Sequence, residues 1–166
     1  MAELGFFRGE RVELIHGMVV RMAPIGPPHT EVVDLLTELL VVALVGRARV
    51  RIQQPLVAGD TSEPEPDIAI VPRGDYRDHH PDRALLVIEV AESSLSYDMS
   101  TKAELYASSN VAEYWVVDVE AEALTVFRGP AGGAYSSSSR HGRGSSVAPV
   151  SFPEVEVSMD SLFRRA

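Results

Sequence analysis

The chain has 166 residues, enough for one globular domain whose core removes roughly 70% of the unfolded chain's surface from water. Hydrophobic residues at 45% and charged residues at 23% exclude a disordered tail or fibrous repeat, and the lack of cysteine excludes disulfides, thiolate metal sites and a cysteine nucleophile. With 15 Lys and Arg against 24 Asp and Glu, the formal net charge of −9 argues against a protein that coats nucleic acid, because affinity for phosphate backbones comes from clustered cations.

Met1 to Glu10 has no apolar segment of the signal-peptide kind, and no run of about 18 apolar residues follows, so neither a leader nor a membrane span is predicted and a cytosolic protein is expected. Arg11 to Met22 alternates in polarity around His16-Gly17 and predicts a β-hairpin with a tight turn. Pro24, Gly26, Pro27 and Pro28 predict a break in regular structure. From Thr30 to Gly46 apolar residues recur at helical spacing, with Thr30 as N-cap and Gly46 as stop. Ala48 to Gln53 and Pro55 to Ala58 predict one strand bent at Pro55.

Thr61 to Pro66 reads as an acidic loop, and Asp67 to Val71 and Ala84 to Val90 as strands, the second buried on both faces. Ser94 to Ser109 predicts a second helix. Glu113 to Val119 and Ala123 to Phe127 predict a further pair of strands. Gly129 to Ser146, rich in Gly and Ser, predicts a mobile loop or an irregular hairpin, and Val155 to Phe163 a last strand and helical turn. The pattern is that of a mixed α/β domain over 1–166 with one central sheet and no internal repeat.

Three charged residues stand where stability alone would seldom put them: Asp67 at the head of an apolar strand, Glu89 near the end of the most apolar strand, and Lys102, the only lysine beside 14 arginines, on the helix that follows. A carboxylate on a buried strand face costs several kcal/mol unless it is paired or binds a cation. Two of them on adjacent strands suit a hard divalent ion, Mg²⁺ or Mn²⁺, and a metal between two carboxylates beside an ammonium suits phosphodiester hydrolysis. The other reading is a buried Glu89 to Lys102 ion pair, with Asp67 capping a strand or turn.

Glu65-Pro66-Asp67-Ile68-Ala69-Ile70-Val71, Leu86-Val87-Ile88-Glu89-Val90 with Ser93 and Ser94, then Asp98, Lys102, Tyr106 and Val111 to Asp118 resemble the Uma2 family of restriction-endonuclease-like proteins. The Glu13-Leu14-Ile15-His16-Gly17 hairpin and His29 are similar to that family too, so the resemblance spans nearly the whole chain. It implies a PD-(D/E)xK nuclease fold: a mixed central sheet flanked by helices, with an N-terminal hairpin. The Pro-Asp motif maps onto Pro66-Asp67 and the second acid onto Glu89. The residue two after Glu89 is Ala91 where the simplest pattern has lysine. The family-like lysine, displaced to the next helix, maps onto Lys102, whose long stem from a packed helix reaches a strand end.

Around this trio, Asp98 precedes Lys102 by four residues and either pairs with it or caps the helix. Glu31, Asp34 and Glu38 share a helix face, either a solvated one or, for Glu31, an outer metal ligand as in related nucleases. His29 contacts a substrate phosphate or makes a local hydrogen bond. Adjacent His79 and His80 point apart in a loop, and Tyr114 and Trp115 read as core. Arg47, Arg49 and Arg51 alternate along one strand and are phosphate-contact candidates, followed by Arg140 and Arg143; the strand triplet reads equally as a charged edge that resists aggregation.

The leading expectation is a Mg²⁺-dependent endonuclease acting on DNA as a homodimer, the dimer being implied by the resemblance, with Asp67 and Glu89 as metal ligands and Lys102 stabilising charge. The alternatives are a non-catalytic binding or assembly module of the same fold and a hydrolase of small phosphate substrates. Between Asp60 and Glu122 lie 15 acidic and 4 basic residues, a net of −11, whereas the remainder carries +2. The excess acid therefore surrounds the expected metal site.

Overall fold

The computed structural model describes residues 11–164. The reading of Met1 to Glu10 lies outside the described residues. A β-hairpin of β1 (Val12–Ile15) and β2 (Met18–Arg21) opens the fold. His16 and Gly17, with φ of 49° and 78°, make the two-residue turn with both central residues left-handed, whose twist matches that of the strands.

The first helix, α1 (Pro27–Leu44), begins three residues before Thr30, and Gly26 rather than Thr30 is its N-cap. Pro27 and Pro28 do not break it. At the first helical positions the missing N–H has no partner to lose, and the fixed φ of proline already suits a helix. Thr30 instead folds its hydroxyl back, donating to the Pro27 carbonyl at 2.9 Å. The face carrying Val32, Val33, Leu36, Leu40 and Leu44 is buried. Gly46, at φ 77°, follows the helix end as expected.

Six strands form the central sheet in the order β3 (Arg49–Ile52), β4 (Ile68–Val71), β5 (Leu86–Ala91), β6 (Glu113–Asp118), β7 (Ala123–Ala131) and β8 (Ala134–His141). All neighbours are antiparallel except the β5–β6 pair, which is parallel and joined by a helical crossover. That crossover comprises α2 (Leu95–Tyr97), a π-helical turn (Asp98–Lys102) and α3 (Ala103–Ser108). One sheet face packs on α1 through Ile68, Ile88, Trp115 and Val126; the other, through Ala69, Val87 and Tyr114, packs with Tyr106 of the crossover. β9 (Ser146–Val147), β10 (Val157–Ser158) and α4 (Met159–Leu162) close the first layer.

Two expectations need correction. The strand bent at Pro55 ends at Ile52, because Gln53 takes φ 49° and turns the chain out of the sheet. Gly129 to Ser146 is largely a regular hairpin: Gly132 and Gly133, at φ 59° and 84°, make a tight turn between β7 and β8, and Ser136 to Ser139 lie in an ordered edge strand. Serine has little β-propensity of its own; pairing to β7 overrides it.

Candidate active site

The site is assembled at one end of β4 and β5. Ile68 pairs with Ile88, so one further step of the antiparallel register sets Asp67 opposite Glu89. Cross-strand partners have Cβ atoms about 5 Å apart, and like charges there repel. Both residues are buried, as is Lys102, which is 3% exposed. Around them lies a cleft of about 270 Å³. The carboxylates of Glu13, Glu65, Asp67, Glu89, Glu92 and Asp98 line it, against Arg11, Arg21 and Lys102.

Asp67 is tied down on both oxygens. Oδ2 accepts from the Val90 N–H at 2.9 Å and from His29 Nε2 at 3.0 Å; Oδ1 accepts from the Gln53 amide at 3.2 Å. Burial alone would raise its pKa, but the His29 hydrogen bond and charge, with Val90 and Gln53, bring it below the ordinary value. Asp67 is thus held ionised. His29 sits in the first turn of α1, whose entry is braced by Glu92: Glu92 Oε2 accepts from the Gly26 N–H at 3.2 Å, and a Cβ at Gly26 would lie 2.7 Å from it. A carboxylate there also faces the positive end of the helix dipole.

Glu89 accepts from Lys102 Nζ at 3.1 Å and Tyr106 OH at 2.8 Å on Oε1, and from the Asp67 N–H at 3.2 Å on Oε2. Burial pushes its pKa up to about 8, with the Lys102 charge opposing and the Asp67, Asp98 and Glu13 charges adding to the rise. Lys102 Nζ also donates to Glu13 Oε2 at 2.5 Å. Burial would lower the ammonium's pKa, but Glu89 and Glu13 more than offset that and hold it above its ordinary value. The π-helical turn has Asp98 and Lys102 at its ends, a helix defect that often marks functional segments. Asp98 does not pair with Lys102; it accepts from Ser94 Oγ at 2.5 Å, and burial raises its pKa to about 6.

Glu89 and Asp98 therefore keep protons in the folded state that the unfolded chain gives up near pH 4. Where the folded state binds more protons, stability falls as pH rises. In chelator, the urea midpoint is expected to decrease steadily from pH 5 to pH 8, and Glu89→Gln to flatten much of that slope. A wild-type midpoint that rises over this range would contradict the buried, protonated Glu89.

Glu13 is not among the sequence-derived site residues, although the sequence marks the hairpin that carries it. Its signal was an acid in an alternating hairpin, and only the tertiary contact to a residue 89 positions away gives it meaning. Gln53 and Tyr106 join the site in the same way. Glu31 does not: it is exposed and lines a separate groove with Val32, Val119 and Leu162, because its helix position points away from the cleft. Asp34 and Glu38 are exposed too, a solvated face.

The phosphate-contact candidates Arg47, Arg49, Arg51, Arg140 and Arg143 also lie outside the cleft. Arg47 pairs with Glu154 and covers the Phe152 ring at 4.9 Å; Arg140 pairs with Asp118 at 3.2 Å and Arg143 with Glu122 at 2.5 Å. Arg49 and Arg51 stand over Tyr76 at 5.3 and 5.9 Å. His79 is exposed and His80 faces Glu63, while Tyr114 and Trp115 are core, as expected.

Among the described residues no group of three or more His, Asp or Glu side chains is placed to hold a metal ion. The donors that the fold offers are the cross-strand carboxylates of Asp67 and Glu89, open to the cleft. Their hard oxygens fit Mg²⁺ or Mn²⁺, which bind through one or two carboxylates and otherwise keep water or substrate phosphate as ligands. No described helix is long and apolar enough to cross a membrane.

No curated protein matches this chain. Among solved structures, a "putative nuclease belonging to DUF820" from Anabaena variabilis ATCC 29413 is similar in fold, with a TM-score of 0.78 at 19% identity, covering 93% of this chain and 90% of that one. The mixed sheet, its flanking helices and the hairpin are a restriction-endonuclease-like fold. The Uma2 model, described as "Putative restriction endonuclease", matches residues 2–160, and the chain belongs to that family.

Proposed function

We propose that the protein is a divalent-metal-dependent endonuclease that hydrolyses DNA phosphodiester bonds, with Asp67 and Glu89 holding Mg²⁺ or Mn²⁺ and Lys102 stabilising charge. The observation that carries this reading is the antiparallel juxtaposition of Asp67 and Glu89 at the cleft, with a buried ammonium on Glu89. When bound, the ion supplies polarisation of the phosphoryl oxygen and a more acidic water. Asp67 is the ready ligand, ionised and oriented by His29, Gln53 and Val90. Glu89 gives up its proton to bind, so affinity rises with pH. Lys102, already poised at Glu89 Oε1, turns an N–H toward the negative charge that grows on the phosphoryl group.

The decisive test is plasmid cleavage by the wild-type chain with and without Mg²⁺ or Mn²⁺; no cleavage in either removes the reading. Dimerisation belongs to it, since two copies bring two clefts to two strands. Light scattering is expected to give twice 18.1 kDa, and a mass of one chain would remove the dimer.

One observation favours a non-catalytic module of the same fold: Lys102 is locked between Glu13 and Glu89 in a cleft lined by more acids than cations. In that case the ion pair is structural, and titration calorimetry with Mn²⁺ shows no binding.

A further inference from the structure

Arg49 and Arg51 are neighbouring cations, in a chain rich in acid, that form no ion pair among the described residues. They alternate on β3, the edge strand, opposite Val71 and Ala69, and both guanidinium groups face the Tyr76 ring. Arg51 is 9% exposed. Its only hydrogen bond among the described residues runs from Nη2 to the Pro55 carbonyl at 3.3 Å, and its buried Nε has no partner.

Asp75 feels the Arg49 charge, but its ion pair is with Arg77. Asp75 is fully engaged by Arg77, which donates from Nε at 2.9 and 3.0 Å and from Nη2 at 2.5 Å. Arg73 lines the groove beside Arg49 and has no ion-pair partner among the described residues. Arg47, by contrast, is neutralised by Glu154. A buried guanidinium without a counter-charge is costly, and burial with the neighbouring Arg49 lowers the Arg51 pKa. An anion placed over the pair would supply the missing counter-charge.

We propose that Arg49, Arg51 and Arg73 form a phosphate-binding site on the sheet edge, distinct from the cleft, that holds the backbone of a nucleic-acid strand. The proposal rests on the nuclease reading for its choice of polymer. Support comes from the strand itself: Gln53, bonded to Asp67, directly follows β3, and Arg51 and Arg49, about 7 Å apart at the rise of a β-strand, precede it on that strand. A substrate longer than the scissile nucleotides can therefore be gripped here, which answers how so acidic a protein holds a polyanion.

The test is fluorescence anisotropy of a labelled 20-base-pair duplex over a salt series in calcium, with Arg49→Gln, Arg73→Gln and the double variant, and Arg77→Gln as control. Each lost phosphate contact is expected to make the plot of log affinity against log salt shallower by about 0.9, while Arg77→Gln keeps the wild-type slope. Arg49 and Arg73 are exposed, so these variants keep the core; Arg51→Gln, checked by thermal melting, extends the series. Wild-type slopes in the Arg49 and Arg73 variants, or a wild-type chain without measurable affinity at low salt, would overturn the site. Displacement of the duplex by millimolar inorganic phosphate identifies a lone-phosphate pocket and overturns the strand reading. Cleavage assayed in parallel separates the two proposals: shallower slopes without cleavage retain this site and remove the nuclease reading.

Discussion

Asp67→Ala is expected to abolish metal-dependent cleavage of plasmid DNA, by at least about 10³-fold, since partners that only orient a metal ligand are already worth about 10- to 100-fold. The substitution removes the one carboxylate of the site held ionised below its usual range. It also strands the Val90 N–H, the Gln53 amide and His29 Nε2, all of which converge on it. Manganese calorimetry on the same variant separates lost binding from lost fold, provided its circular dichroism matches wild type. Full cleavage by Asp67→Ala would end the assignment, because no other described acid takes its place opposite Glu89.

Lys102→Met is expected to destabilise the protein by about 3–5 kcal/mol at pH 7, the cost of leaving buried acid without its cation. Lys102 is the shared counter-charge of Glu13 on the hairpin and Glu89 on β5, and all three side chains are almost wholly buried. The loss should shrink on acidification, since protonated carboxyls no longer need the ammonium. Adding Glu13→Gln to Lys102→Met should restore part of it, because one of the two carboxyl groups stranded beside the lost ammonium is gone. Urea unfolding followed by the fluorescence of Trp115 reads both effects. A change below about 1 kcal/mol, the range of a surface ion pair, would show that Lys102 does not hold the hairpin to the sheet.

These two residues also show how the site divides between stability and chemistry. Asp67 is satisfied by neutral and histidine donors from β5, α1 and the turn after β3, so three segments agree on its position. Lys102 joins the crossover to the hairpin through acid on both sides. If the chain is an enzyme, substrate phosphate competes with Glu13 for that ammonium, and the hairpin is the element whose grip loosens.

Much of the fold was legible in sequence where a residue's local preference and its tertiary role coincide. His16-Gly17 turns a hairpin because both tolerate positive φ. The α1 stripe and the apolar β4 and β5 runs announce themselves by periodicity, since burial selects the same residues that the pattern displays. Errors arose where context wins over preference. Pro27 and Pro28 start a helix instead of ending a loop, Gln53 leaves the sheet in a conformation its side chain does not advertise, and four serines form a strand because β7 offers them a ladder.

The sequence by itself determined the fold class, the pairing of Asp67, Glu89 and Lys102 as candidates, and the concentration of acid between Asp60 and Glu122, because these rest on residue type, spacing and count. Tertiary structure alone decided which other side chains meet them. Glu13 reaches Lys102 across 89 positions, His29 reaches Asp67 across 38, and Glu31, one turn from no obvious difference in sequence, faces another groove. The same holds for charge: Arg47, Arg140 and Arg143 are spent on carboxylate partners, whereas Arg49 and Arg51 form no ion pair among the described residues. Composition counts charges, but electrostatic energy depends on the distances between them and on their burial, and both are set only when the chain has folded.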